Sequence, residues 1–459
     1  MLIQNNNKRF VDLRNKYPVF SYDRYSYNID NKDLLIGFKF SAGKDICFYP
    51  EARLKYHPSF DVFYESDNLS YLNDFVFSIG MIELISYWKA TCSPVISVGV
   101  GTLDKEAISF WKKIYYYGLG EFFYCNSIHT NISDFVTIEP AGTYNKKNPP
   151  FLGLKNEAII PIGGGKDSVV TLELLRTFDA ITPMIINPRG ATLDTVKTGG
   201  FANNFFEIKR KIDPLLLELN AQGFLNGHTP FSAMLAFYSV LLAVVSGKKN
   251  IALSNESSAN ESTVIGSDVN HQYSKSYEFE ADFRQYVSTY LSKEVNYYSF
   301  LRPLSELQIA YLFSKQKDYL SVFRSCNAGS KTDEWCCECA KCMFTFIILS
   351  PFISPERLTA VFGENMFEKE HLLPIFQELC GLSKEKPFEC VGTIEEVCLA
   401  LIQTVKQYDT LPFLLQYFTK TPLYEQYRHV NFENQMQTLN TQHFLSEKEM
   451  KLLEQQLNK

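Results

Sequence analysis

The stretch Ala158-Ile159-Ile160-Pro161-Ile162-Gly163-Gly164-Gly165-Lys166-Asp167-Ser168-Val169-Val170 decides how the chain reads. Ala158, Ile159, Ile160 and Ile162 form a short apolar run rich in β-branched residues, the mark of a buried parallel strand. Val169, Val170, Leu172, Leu174 and Leu175 then supply the buried side of a helix starting near Asp167. Three consecutive glycines let the backbone approach a ligand and point amides at it, and the helix N-terminus adds partial positive charge. Such a turn suits a polyphosphate. An ordinary strand-to-helix turn is the competing reading.

Working outward, strand and helix alternate. Thr182 to Asn187, Phe205 to Lys209, Asn250 to Ser254 and Asn296 to Phe300 read as strands, and Pro214 to Asn220 and Pro230 to Val245 as helices. This alternation predicts an α/β fold with a parallel, doubly wound sheet, whose ligands sit at the carboxyl ends of the strands. The loops there are polar: Asn187-Pro188-Arg189-Gly190, the run from Asn255 and Glu256 to Ser262, Asn226-Gly227-His228-Thr229-Pro230, and Asn270-His271-Gln272-Tyr273-Ser274-Lys275-Ser276. Each alone is equally well a solvated loop, but together they favour a polar, anionic substrate.

Upstream, Ile36, Phe38 and Phe40 alternate with Gly37 and Lys39, and after a turn Ile46 to Tyr49 completes a hairpin. A helix is expected from Asn73, read as its N-cap, through Ile79, Ile82 and Ile85, and a strand at Val95 to Val100. The polar run Asn145 to Pro150 marks a boundary. Residues 1–150 are therefore expected to be an α+β domain with a role in substrate recognition, and 151–320 the nucleotide domain. Residues 321–459 form a helical region, with capping boxes at Thr393/Glu396 and Ser446/Glu449.

That last segment carries the second strong signal. Cys326, Cys336, Cys339 and Cys342 include two close Cys-x-x-Cys pairs that can wrap a tetrahedral ion. Zinc is the first choice and an iron–sulfur cluster the runner-up. Four thiolates leave no open position, so the expected role is structural.

Composition sets the remaining limits. The 459 residues are 46% hydrophobic and 15% aromatic with a net charge of −6, and the pI is near 5.8. This is a globular chain without a dominant nucleic-acid partner. Met1 to Arg14 is polar and lacks the apolar core of a signal peptide. The apolar stretch Phe231 to Val245 is too short to span a bilayer comfortably and is expected as a buried helix. Eleven cysteines, five of them between Cys326 and Cys342, are not spaced like a secreted disulfide framework, so a reduced, cytoplasmic setting is expected.

The glycine loop does not match the Walker loop, because Asp167 follows Lys166, nor the dinucleotide fingerprint, because Ser168 stands at the third glycine. It resembles the Ser-Gly-Gly-x-Asp-Ser pyrophosphate loop of the ATP pyrophosphatase superfamily, with Gly163 in place of the first serine. The resemblance implies that ATP is cleaved to AMP and pyrophosphate, with amides of Gly163, Gly164 and Gly165, and Lys166 and Ser168, on phosphate oxygens, Asp167 on Mg²⁺, and Asn187 and Arg189 near the nucleotide.

Within that superfamily the chain resembles the ATP-dependent UDP-N-acetylmuramoyl-L-alanyl-L-glutamate epimerases. The strings that carry this are 163–168, Asn226 to Pro230, Asn270 to Ser276, the cysteine cluster, and Lys386-Pro387-Phe388-Glu389-Cys390-Val391-Gly392. The resemblance implies a small nucleotide-sugar peptide substrate whose terminal L-glutamate is inverted, and a functional pairing with the ligase that supplies it. Lys166, Asp167, His228 and Lys275 are then the catalytic candidates, and His228, Asn255, Glu256, His271, Tyr273 and Lys275 the substrate-binding ones. Other AMP-forming enzymes of the superfamily, a deazapurine nitrile synthase or a tRNA-modifying enzyme, are the alternatives.

Overall fold

The computed structural model describes residues 4–144, 149, 151–177, 180–264 and 266–459. The expected boundary run therefore lies, apart from Pro149, outside the described residues. The strands are β1 (Val19–Asp30), β2 (Asp33–Ala42), β3 (Ile46–Phe48), β4 (Glu51–Leu54), β5 (Val95–Thr102), β6 (Thr137–Gly142), β7 (Lys155–Pro161), β8 (Ile181–Ile186), β9 (Phe206–Lys211), β10 (Lys248–Leu253) and β11 (Asn296–Ser299). The chain forms two compact units, interleaved in sequence. Unit 1 comprises Met1–Ile159, Phe206–Ile251 and Asp268–Tyr297; unit 2 comprises Ile160–Phe205, Ala252–Ser267 and Tyr298–Lys459.

In unit 1 the strands are mixed in direction. β1 pairs antiparallel with β2 and parallel with β5, which pairs parallel with β6. β2 also pairs antiparallel with β3 and β4, and β4 pairs antiparallel with β9 in the register Glu51↔Lys211 to Leu54↔Ile208. The expected purely parallel arrangement thus holds for β10 and β7 but not for β9. The alternation of β2 explains its placement: Leu34, Ile36, Phe38, Phe40 and Ala42 all point inward. Each large apolar side chain so buried contributes roughly 1.5–3 kcal/mol.

The helix Leu72–Trp88 is buried on nearly all sides. Together with the preceding turn it makes the stretch Leu69–Trp88, long and apolar enough to cross a membrane by composition, yet 67% of its most apolar window is buried within the protein. It lies close against β1, because a Cβ on Gly80 would fall 1.8 Å from the Tyr22 hydroxyl. Asn73 is not its N-cap. The helix starts one residue earlier, after Tyr71, and the Asn73 amide donates to the Ser70 carbonyl at 2.8 Å. The expected helix at Phe231–Ser246 is present and buried. A bidentate pair lies deep in this unit: Arg210 donates to both oxygens of Glu83 at 2.6 Å, and the Tyr238 hydroxyl adds a third bond at 3.0 Å.

Unit 2 is helical after residue 300. The helices Glu306–Ser314, Ala340–Leu349 and Ile394–Val405 are almost entirely buried, and the capping boxes at Thr393/Glu396 and Ser446/Glu449 form as their spacing predicts. The final segment is tied to the first of these helices. Gln308 donates to the carbonyls of Met436 and Thr438 at 3.0 Å, and Lys315 to that of Gln456 at 3.3 Å.

Candidate functional site

In unit 2 the glycine loop lies between the end of β7 and the helix Lys166–Leu175. Gly164 has φ +81° and its added Cβ would lie 3.1 Å from the Ala191 backbone, so both conformation and space select glycine. Gly165 is the N-cap, with no side chain capping the helix, which leaves the first amides to a ligand or water. The loop is braced by Arg324, whose backbone N–H donates to the Gly164 carbonyl at 2.8 Å. Ser168 turns back and donates to the Gly165 carbonyl at 3.0 Å.

Lys166 is not an exposed point charge. Its ammonium is buried and bonded to both Asp167 and Glu306. Glu306 opens its helix at the first position after Ser305, which caps it, and its own backbone N–H donates to Glu396 at 2.6 Å. Two carboxylates thus share one cation. Lys166 is held protonated by them, while burial, reinforced by Asp167 and Glu256, pushes the Glu306 carboxyl up to about 8. At neutral pH Lys166 is charged and Glu306 carries its proton.

The neighbouring candidates divide into buried ones and exposed ones. The Asn255 amide donates to Ser299 at 3.0 Å, and the Glu256 carbonyl accepts from the fully buried Arg302 at 2.6 Å. Asn255 is therefore held by the fold, whereas the Glu256 carboxylate acts on Glu306 electrostatically. Asn187 is exposed with φ 52°, and Arg189 is exposed and donates to Ser330 at 3.1 Å. Asp333 anchors the following helix by accepting from the Ala191 N–H at 2.9 Å.

The four cysteines converge. Cys326 to Cys339, Cys336 to Cys342 and Cys339 to Cys342 are 3.9, 3.7 and 3.5 Å apart between sulfurs. A tetrahedral ion with bonds of about 2.3 Å would set its sulfurs about 3.8 Å apart, so the set fits a single ion. Cys337 stands apart: its thiol donates to the Phe362 carbonyl at 3.3 Å, and burial pushes it up to about 12.

In unit 1 the structure brings His228 and His271 together on a residue the sequence did not single out. Glu121 Oε2 is 3.3 Å from His228 Nδ1 and 2.5 Å from His271 Nδ1, and the two rings are 4.5 Å apart. Burial, then repulsion from His271, lowers His228 to about 4, so it is neutral. Lys89 fixes the turn bearing His228, donating to the Gly227 carbonyl and, at 2.8 Å, to Thr229 Oγ1. Tyr273 is buried with its ring 5.2 Å from Tyr117, and Lys275 sits in the same short turn before the helix Tyr277–Tyr286. A single acid inside the aromatic run Gly120-Glu121-Phe122-Phe123-Tyr124 was the one available signal for Glu121.

The chain matches two family models, the MurL N-terminal domain over residues 12–300 and the MurL C-terminal domain over 322–426. A UDP-N-acetyl-alpha-D-muramoyl-L-alanyl-L-glutamate epimerase of a Micromonospora species is 35% identical over 334 residues, covering 70% of this chain and 73% of that protein. Proteins of the same name from Salinispora tropica and Xanthomonas oryzae pv. oryzae are each 36% identical. They match over 332 and 324 residues, which cover 70% and 68% of this chain and 71% and 70% of theirs. The chain belongs to the MurL family.

Proposed function

We propose that this protein is an isomerase that inverts the terminal L-glutamate of UDP-N-acetylmuramoyl-L-alanyl-L-glutamate to D-glutamate, with cleavage of ATP to AMP and pyrophosphate. The observation that carries the reading is the breadth of the likeness: both family domains, and more than two thirds of three proteins named for that epimerisation. The substrate is a nucleotide-linked peptide. In this reading the enzyme works in the cytoplasm on the path to peptidoglycan, next to the ligase that attaches L-glutamate.

The chemistry accounts for the nucleotide. A proton beside an ionised carboxylate is very weakly acidic; adenylating that carboxylate, with pyrophosphate as the leaving group, removes its charge so that a modest base can exchange the proton, and water then hydrolyses the acyl-adenylate to the free carboxylate and AMP. We assign the glycine loop to ATP, through the Gly163, Gly164 and Gly165 amides and Ser168, with Asn187 and Arg189 at its margin. The open helix start supports this. Asp167 and Lys166 are assigned to the charges of the magnesium nucleotide, and Glu306 joins them by its bond to Lys166. In unit 1, His228 and Lys275 are assigned to the reacting end of the substrate, with His271 and Tyr273 beside them; in unit 2, Asn255 shapes the site and Glu256 tunes it. Cys326, Cys336, Cys339 and Cys342 are assigned to a structural zinc ion. Their close sulfurs favour one ion over an iron–sulfur cluster.

Purified protein incubated with ATP, Mg²⁺ and the L-glutamate substrate tests the reading. D-glutamate should be recovered after hydrolysis, with AMP accumulating in step. AMP formed without inversion, or no AMP at all, would reject it.

A further inference from the structure

Apart from the glycine loop and the cysteines, Glu121, His228 and His271 are a group of side chains whose ligand atoms meet, all within 4.8 Å of one another. We propose that these three residues form a second metal site, for a divalent transition-metal ion bound by two imidazoles and one carboxylate. That donor set suits zinc, cobalt, manganese or ferrous iron, and three protein ligands leave positions open for water or a substrate carboxylate.

The spacing supports it. Ligands about 2.0–2.1 Å from an ion stand about 2.8–3.0 Å apart around an octahedron and about 3.3–3.4 Å apart around a tetrahedron. Glu121 and His228 already do, at 3.3 Å. His271, at 2.5 Å, needs to withdraw by well under the length of a bond. The backbone around two of the three ligands, His228 and Glu121, is held by hydrogen bonds, the kind of support that metal sites draw on. Lys89 pins the Gly227–Thr229 turn. Asn126, directly after the helix bearing Glu121, donates to the carbonyls of Phe122 at 2.8 Å and Asn226 at 3.1 Å.

Open positions would face a polar pocket of about 330 Å³ lined by Glu121 and His228 together with Arg9, Asn126, Asn220 and Asn226. Within it the Asn220 side-chain carbonyl oxygen is buried without a hydrogen-bond partner among the described residues. Arg9 supplies a positive charge at that pocket, which suits a small anion held on the ion, and the Asn220 oxygen would accept from a water beside it. The epimerase reading is not needed for this inference, because its test reads metal and not turnover.

Chelator-treated full-length protein is titrated with Co²⁺, and binding is followed by absorption and by metal content. One equivalent should bind with the weak bands of nitrogen and oxygen ligands. It should survive in the Cys336→Ser/Cys339→Ser variant and weaken about tenfold or more in His228→Asn and Glu121→Gln. The thiolate-to-cobalt band of the cysteine site, unchanged in those two variants, reports that they fold. If the cysteine variant does not fold, the comparison of native protein with His228→Asn decides alone. Cobalt confined to the thiolate site, or an affinity unmoved by both Glu121→Gln and His228→Asn, would overturn the proposal.

Discussion

Replacing Glu306 by glutamine should change the pH dependence of stability more than stability itself. The carboxyl is fully buried and sits at about 8, against 4.5 when free. Moving it that far corresponds to roughly 5 kcal/mol, at about 1.4 kcal/mol for each tenfold change in proton affinity. The direction follows from linkage. A group whose folded value is raised contributes stability that is complete below its unfolded value and is lost as pH rises through the folded one. The native protein should therefore weaken from about pH 5 to pH 8.5. The Glu306→Gln variant, which copies the protonated form and leaves Asp167 on Lys166, should not. Urea unfolding followed by tryptophan fluorescence, with Trp335 reporting from unit 2, measures both curves. Near pH 5 the two proteins should differ by about 1 kcal/mol or less, and near pH 8.5 Glu306→Gln should be the more stable by roughly 4 kcal/mol. Parallel curves across that range would show that Glu306 does not change its protonation there and that the account of a protonated Glu306 beside Lys166 is wrong.

Asp167→Ala, at a side chain that is 29% exposed, should leave the thermal midpoint within a few degrees and lower AMP formation by about 100-fold; a loss under tenfold would remove Asp167 from the metal-nucleotide site. Cys336→Ser/Cys339→Ser should abolish the tightly bound zinc of the cysteine site, read by elemental analysis, and lower the midpoint of unit 2; zinc retained at native levels would exclude this site. Arg210→Met strands the buried Glu83 carboxylate, which should cost about 3–5 kcal/mol in urea unfolding. A cost below about 1 kcal/mol would mean that the pair is solvated.

What was legible in the sequence was local. Strand, glycine turn and helix follow one another within about twenty residues, and the pattern found the start of the helix Lys166–Leu175 to within a residue and the apolar end of β7, but not its polar start at Lys155 to Glu157. The cysteines were legible because three of the four, Cys336, Cys339 and Cys342, follow one another at three-residue spacing where a loop enters the helix Ala340–Leu349. Asn73 misled because a polar residue ahead of an apolar run is read as a cap, whereas its amide donates to a carbonyl and caps nothing. Glu306 was hidden for a different reason. It lies 140 positions from Lys166, inside a Ser305-to-Gln308 capping box that explains its acidity without a partner. Glu121 is separated from His271 by 150 positions. No short-range pattern records either meeting, since burial of a charge is decided by what the distant chain brings to it.

The helix Glu306–Ser314 couples the tail of the chain to the glycine loop. Its first residue holds the loop lysine, its third holds the carbonyls of Met436 and Thr438, and Lys315 just beyond its end reaches Gln456. Those three partners in the tail lie past residue 426, where the family match stops. A stretch outside the family match is thus fastened to the same rod as the carboxyl that holds the loop lysine. Because all three bonds end on backbone carbonyls, side-chain exchanges in the tail leave them in place, whereas loss of the Gln308 amide or of the Lys315 ammonium would loosen the tail from this helix.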